Sequence, residues 1–191
     1  MDILSHWRTL FLNLFTLFLI LFLSFVSQAY SAPIILMLGD SLTAGYGIDK
    51  QKAFPALIEK ALQSEGLKDL KVINGGVDGD TTAGGLARLA WLMKTKKPSH
   101  ILVCLGGNDG LRGLKLEQSQ KNLSEIIKRA KDQKLPVLLM GMQIPPNYGP
   151  EYTKAFRSMY PELATEHKVP IMPFLLEGVA GEAKYNLPDM I

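Results

Sequence analysis

Residues 34–47 read IILMLGDSLTAGYG, five apolar side chains running directly into Gly39-Asp40-Ser41. An apolar run this short, with little alternation, suits a strand buried on both faces of a parallel sheet. Further runs of the same kind lie at 70–73, 101–105, 137–140 and 171–174. Helical stripes separate them. Phe54, Leu57, Ile58, Ala61 and Leu62 recur with helical spacing, and Gly66 can close that helix. Ala83, Leu86, Leu89, Ala90 and Met93 form a second stripe that ends before Pro98. Leu116, Leu123, Ile126, Ile127 and Ala130 form a third, ending before Pro136, and Tyr152, Phe156, Met159, Tyr160 and Leu163 a fourth. Alternating strands and helices predict an α/β fold with a central parallel sheet and helices on both faces.

Such sheets bind ligands at the carboxyl ends of their strands. Three loops therefore matter. After the first strand, Ser41 stands where a nucleophile would face the crevice, although a plain turn-capping role is open to it. Position 43 is Thr, so this is not a GxSxG elbow, and Gly45-Tyr46-Gly47 lacks the third glycine of a dinucleotide fingerprint. After the second strand, Gly75, Gly76 and Gly79 let the backbone approach a ligand, and Asp80, Thr81 and Thr82 offer helix caps. A simple glycine turn is the alternative. After the third strand, Asn108 presents an amide that can serve as an oxyanion donor or close an Asx-turn. A nucleophile, a backbone donor and a side-chain donor at three adjacent strand ends suit acyl transfer through a tetrahedral intermediate.

The ends of the chain differ from this body. Residues 10–26 are apolar except for Asn13, Thr16 and Ser24, follow Arg8, and precede the small-x-small triplets Ser27-Gln28-Ala29 and Ala29-Tyr30-Ser31. Residues 1–31 read as a secretory signal peptide, with an uncleaved anchor as the rival; either places residues 32–191 outside the cytoplasm, periplasmic or secreted. The remaining length, about 160 residues, suffices for one core. The net charge of +3, with Lys and Arg scattered, gives no nucleic-acid footprint. Cys104 is the sole cysteine, which excludes an internal disulfide, and no metal-ligand spacing is present.

The blocks GDSL at 39–42, GDTT at 79–82 and GGND at 106–109 resemble the SGNH, or GDSL, hydrolase family. GLARL at 85–89, GGNDGLRG at 106–113, PPNYG at 145–149 and VPIMPF at 169–174 are similar to its periplasmic multifunctional thioesterase/arylesterase/lysophospholipase branch. The resemblance implies a flavodoxin-like three-layer α/β/α sandwich. It implies Ser41 as nucleophile, with an oxyanion hole made by the Ser41 and Gly79 backbone N–H groups and the Asn108 side chain. Asp40, Leu42, Gly76, Asp80, Leu111, Ile144 and Pro145 are expected at the substrate; the last three are apolar residues near the loops that either line an acyl groove or simply pack the loops. The implied substrates are acyl esters, thioesters and lysophospholipids, with no cofactor or metal, a monomeric state and peripheral contact with membrane lipid.

The family's Asp-x-x-His block matches Asp189, followed by Met190 and Ile191. The general-base histidine is expected at the next position, so the chain as read is expected to lack its base and the closing helix. His100 and His167 fall at the amino ends of strands, and His6 lies in the leader. Other readings are a carbohydrate acetylesterase of the same superfamily, a catalytically impaired acyl- or lipid-binding fragment, and a flavodoxin-type nucleotide binder. The last is disfavoured because no phosphate-cradling loop follows the first strand.

Overall fold

In the computed structural model, residues 32–182, 184 and 185 are described. The leader and Asp189 lie outside them. Strand β1 (Ile34–Gly39) pairs on one side with β2 (Lys71–Gly76) and on the other with β3 (His100–Cys104). Strands β4 (Val137–Met140) and β5 (Ile171–Met172) complete a parallel sheet in the order β2-β1-β3-β4-β5. This is the flavodoxin-like doubly wound order, which opens a crevice where the winding reverses, at the carboxyl ends of β1 and β3.

Six α-helices occur among the described residues: α1 (Ser41–Ala44), α2 (Phe54–Ser64), α3 (Thr82–Lys96), α4 (Gly107–Leu111), α5 (Leu116–Asp132) and α6 (Pro150–His167). Side chains alternate along each strand, and the two faces collect different partners. Leu36, Leu38, Ile101, Val103 and Leu139 pack with Leu89 of α3, Ile126 and Ile127 of α5, and Phe156 and Tyr160 of α6. Met37, Cys104 and Met140 face the other way, toward Phe54 and Ile58 of α2. Among the described residues this second face is less fully covered: Ile35, Leu102 and Leu138 remain only partly buried. No helix among the described residues is long and apolar enough to cross a membrane.

The structure changes three boundaries. Strand β2 continues through Asn74, Gly75 and Gly76, which the sequence reading left in a loop open to ligand. A Cβ at Gly75 would lie 2.8 Å from the Met37 carbonyl oxygen, and one at Gly76 would lie 2.1 Å from the Ala44 nitrogen. These glycines therefore admit β1 and α1. The short helices α1 and α4 were missed because one turn carries no measurable periodicity. Strand β5 stops at Met172: Gly141 N–H still donates to the Met172 carbonyl, but the Gly141 carbonyl accepts from Leu175 rather than from residue 174, so the ladder slips out of register.

Candidate active site

The turn after β1 is specified residue by residue. Asp40 caps α1, its Oδ1 accepting the Leu42 N–H at 3.0 Å. Gly45, at φ 76°, ends the helix in the left-handed region and donates its N–H to the Ser41 carbonyl at 3.0 Å. A Cβ at Gly39 would lie 1.9 Å from Thr43 Oγ1, so only glycine lets Thr43 fold back onto the strand. Capping thus belongs to Asp40, not Ser41. Ser41 is half-buried, and its hydroxyl makes no hydrogen bond among the described residues.

Asp40 was expected at the substrate. It is instead 3% exposed and turned into the backbone. Burial pushes its carboxyl up to about 6 from the ordinary 3.8; the Leu42 N–H pulls against that shift, and the Asp80 and Asp109 carboxylates add to it.

Strand register aligns the three loops. Gly39 pairs with Gly76 on one side and with Cys104 on the other, so the carboxyl ends of β1, β2 and β3 lie level. Ser41, Gly79 and Asn108 follow those ends by two, three and four residues. Gly79 adopts φ 69°, and its N–H finds no partner among the described residues. Its carbonyl accepts Arg112 Nη2 at 2.8 Å.

Asn108 does not close an Asx-turn. Its Nδ2 donates to the Asp80 carbonyl at 2.9 Å. An amide nitrogen carries two hydrogens, so anchoring one fixes the direction of the other. Asp109, the next residue, is buried and accepts from Thr82 N–H at 2.9 Å, Thr82 Oγ1 at 2.5 Å and Ser119 Oγ at 2.9 Å. Asn122 Nδ2 donates to Thr82 Oγ1 at 3.0 Å. This polar cluster ties α4 to the starts of α3 and α5.

One residue at the site escaped the sequence reading. Arg88, on α3, donates Nε to Asp80 Oδ2 at 2.8 Å, Nη1 to the Gly75 carbonyl at 2.6 Å and Nη2 to the Gly39 carbonyl at 2.8 Å. Its signal was a charge beside an apolar stripe, within two turns of an acidic helix start.

The remaining candidates are dispersed. Leu42 is partly buried against the core, and Leu111 is half exposed. Pro145 is exposed, whereas Ile144 is 7% exposed and packs in the core with Phe156. A groove of about 1110 Å³ opens beside the β2 edge between Tyr46, Ile48, Leu57 and Val77; Leu111, Ile144 and Pro145 do not line it. His100 begins β3 and lies 2.9 Å from Ser99 Oγ, while His167 ends α6 with Nε2 2.7 Å from Ser124 Oγ. Both sit at the end of the sheet opposite Ser41.

A parallel sheet in this order, with a Gly-Asp-Ser-Leu turn after its first strand, defines a hydrolase of the SGNH class. Residues 37–191 match the GDSL-like Lipase/Acylhydrolase family, and the chain belongs to it. It is 44% identical over 156 residues to "Esterase TesA" of Pseudomonas aeruginosa, covering 82% of this chain and 77% of that protein. It is 44% identical over 164 residues to "Thioesterase 1/protease 1/lysophospholipase L1" of Escherichia coli (strain K12), covering 86% and 77%. The crystal structure of AlinE4, an SGNH-hydrolase family esterase, superposes with a TM-score of 0.80 at 43% identity, covering 84% of this chain and 86% of that one.

Proposed function

We propose that this protein is a serine hydrolase of carboxylic esters, acyl thioesters and lysophospholipids that works through an acyl-enzyme. The observation that carries the reading is the level register of Gly39, Gly76 and Cys104, with Ser41, Gly79 and Asn108 just beyond. Ser41 Oγ attacks the acyl carbonyl carbon, and the carbonyl oxygen becomes an oxyanion. That charge is met by the Ser41 and Gly79 N–H groups and by the free hydrogen of Asn108 Nδ2. Collapse expels the alcohol or thiol, which takes up the proton lost by Ser41. Water then attacks the acyl-enzyme, and the acid leaves as Ser41 regains its proton.

The resemblance assigns the proton carrier to the histidine of the Asp-x-x-His block, whose imidazole Asp189 would orient; the sequence to Ile191 holds the aspartate but not that histidine. His100 and His167 do not serve, being at the other end of the sheet. Leu111 and Pro145 offer apolar surface to an acyl chain. Residues 1–31 direct residues 32–191 to the periplasm or the exterior, where the enzyme acts as a monomer on small esters and at lipid surfaces.

A fluorophosphonate probe tests the chemistry. Adduct formation mapping to Ser41, and lost in Ser41→Ala, is expected. Retained binding of acyl lipid without any adduct would favour the acyl-binding reading instead.

A further inference from the structure

We propose that Arg88 is a positioning residue for the oxyanion hole, acting through Asp80 on both Gly79 and Asn108. The proposal rests on the hydrolase reading above. The three nitrogens of the Arg88 guanidinium each donate to a separate segment: Nη2 to the end of β1 at Gly39, Nη1 to the end of β2 at Gly75, and Nε to the Asp80 carboxylate. Asp80 in turn joins the two donor loops. Its N–H donates to Val77 at 3.1 Å, closing the turn that carries Gly79, and its carbonyl anchors Asn108 Nδ2 at 2.9 Å. Asp80 Oδ1 also accepts the Thr81 N–H at 3.0 Å, which sets the start of α3.

An ordinary ion pair does not account for this arrangement. Exposed pairs contribute little, but this one is largely enclosed, at 21% and 11% side-chain exposure. Two of the three bonds also go to backbone carbonyls, where charge neutralisation is irrelevant. Space has been cleared for it: a Cβ at Gly84 would lie 1.8 Å from Asp80 Oδ1, so the carboxylate reaches this position only because α3 carries glycine there. The planar guanidinium matches three diverging acceptors, a geometry an ammonium cannot reproduce. With Arg88 removed, the Asp80 carboxylate keeps only the Thr81 N–H and its tie to the ends of β1 and β2 is gone, so the turn that carries Gly79 and the carbonyl that anchors Asn108 are less firmly placed.

The test compares Arg88→Ala and Arg88→Lys with the parent full chain on p-nitrophenyl acetate, counting only turnover that Ser41→Ala abolishes. In Arg88→Ala, kcat is expected to fall about 100-fold with KM within about threefold, the pattern of a contact made only in the transition state. Added ethylguanidinium is expected to restore part of kcat in Arg88→Ala, and Arg88→Lys is expected to remain impaired. In parallel, ¹⁵N spectra follow the Asn108 side-chain amide, which should show one protected hydrogen in the parent and none in Arg88→Ala. Unchanged kcat, or a lower melting temperature with kcat and the Asn108 signal intact, would overturn the proposal. A parent without Ser41-dependent turnover reflects the base histidine that the sequence to Ile191 does not hold, or else counts against the hydrolase reading; in either case the Asn108 signal decides the role of Arg88. If Arg88→Ala fails to fold, Arg88→Lys, which keeps the charge and the helix, carries the same measurements.

Discussion

Asn108 Nδ2 reaches across 28 positions of chain to the Asp80 carbonyl, 2.9 Å away, and so joins the loops after β2 and β3 by a single amide. The second amide hydrogen is aimed by the first. Asn108→Ala is therefore expected to lower kcat for p-nitrophenyl esters by about 100- to 1000-fold with KM nearly unchanged. Asn108→Asp should be no better, because it sets a carboxylate oxygen against the Asp80 carbonyl. A loss confined to KM in steady-state kinetics would contradict this assignment.

Gly76 offers a test that touches no reacting atom. Alanine there places a methyl group 2.1 Å from the Ala44 nitrogen, against backbone that has no rotamer to yield. Gly76→Ala is expected to cost about 1–3 kcal/mol by urea unfolding, as overpacking does. It should also lower reactivity at Ser41, since α1 is displaced as a unit.

Asp40 makes stability depend on pH with a definite sign. Its folded value, about 6, lies above the ordinary 3.8, so the fold favours the neutral carboxyl. That contribution is complete below about pH 4 and is lost as the pH rises through about 6. A shift of about two units corresponds to about 3 kcal/mol. Asp40→Asn keeps an acceptor for the Leu42 N–H and removes the charge, so it is expected to flatten the stability profile between about pH 4 and 7. Parallel profiles for the two proteins in urea titrations would count against the assignment.

The histidines give a negative control. His100 and His167 bond to Ser99 and Ser124 at the far end of the sheet. Neither His100→Ala nor His167→Ala is expected to change Ser41-dependent turnover by more than about twofold, the range of surface substitutions. A large loss in either would require a different base from the one assigned to the Asp-x-x-His block.

Much of this molecule was readable in the sequence because its strands are short apolar runs with no rival period. The stretches containing β1, β3 and β4 and helices α2, α3, α5 and α6 were anticipated, and with them the three loops at the strand ends. The failures have a common cause. Asp40 reads as a polar residue beside a nucleophile, yet the chain buries it as a helix cap. Gly75 and Gly76 read as loop glycines, yet their lack of side chains is used by backbone 40 positions away in sequence or closer. Ile144 reads as a groove residue, but it packs with Phe156. Arg88 left only a faint mark in the sequence, a charge beside an apolar stripe, because its partners lie on three segments that only the folded sheet brings together. Local pattern reveals elements; it does not reveal which empty volumes the fold later fills.

Gly39, Gly76 and Gly84 are such volumes. Each marks a place where Thr43, Ala44 or Asp80 occupies room that any side chain would have taken. A saturation screen for esterase activity should therefore score these three positions as intolerant, alongside Ser41 and Asn108, although no substrate atom need ever meet them. The functional footprint drawn by such a screen would exceed the chemical one. The excess would outline the mould in which the Ser41 turn and its neighbouring loop are cast.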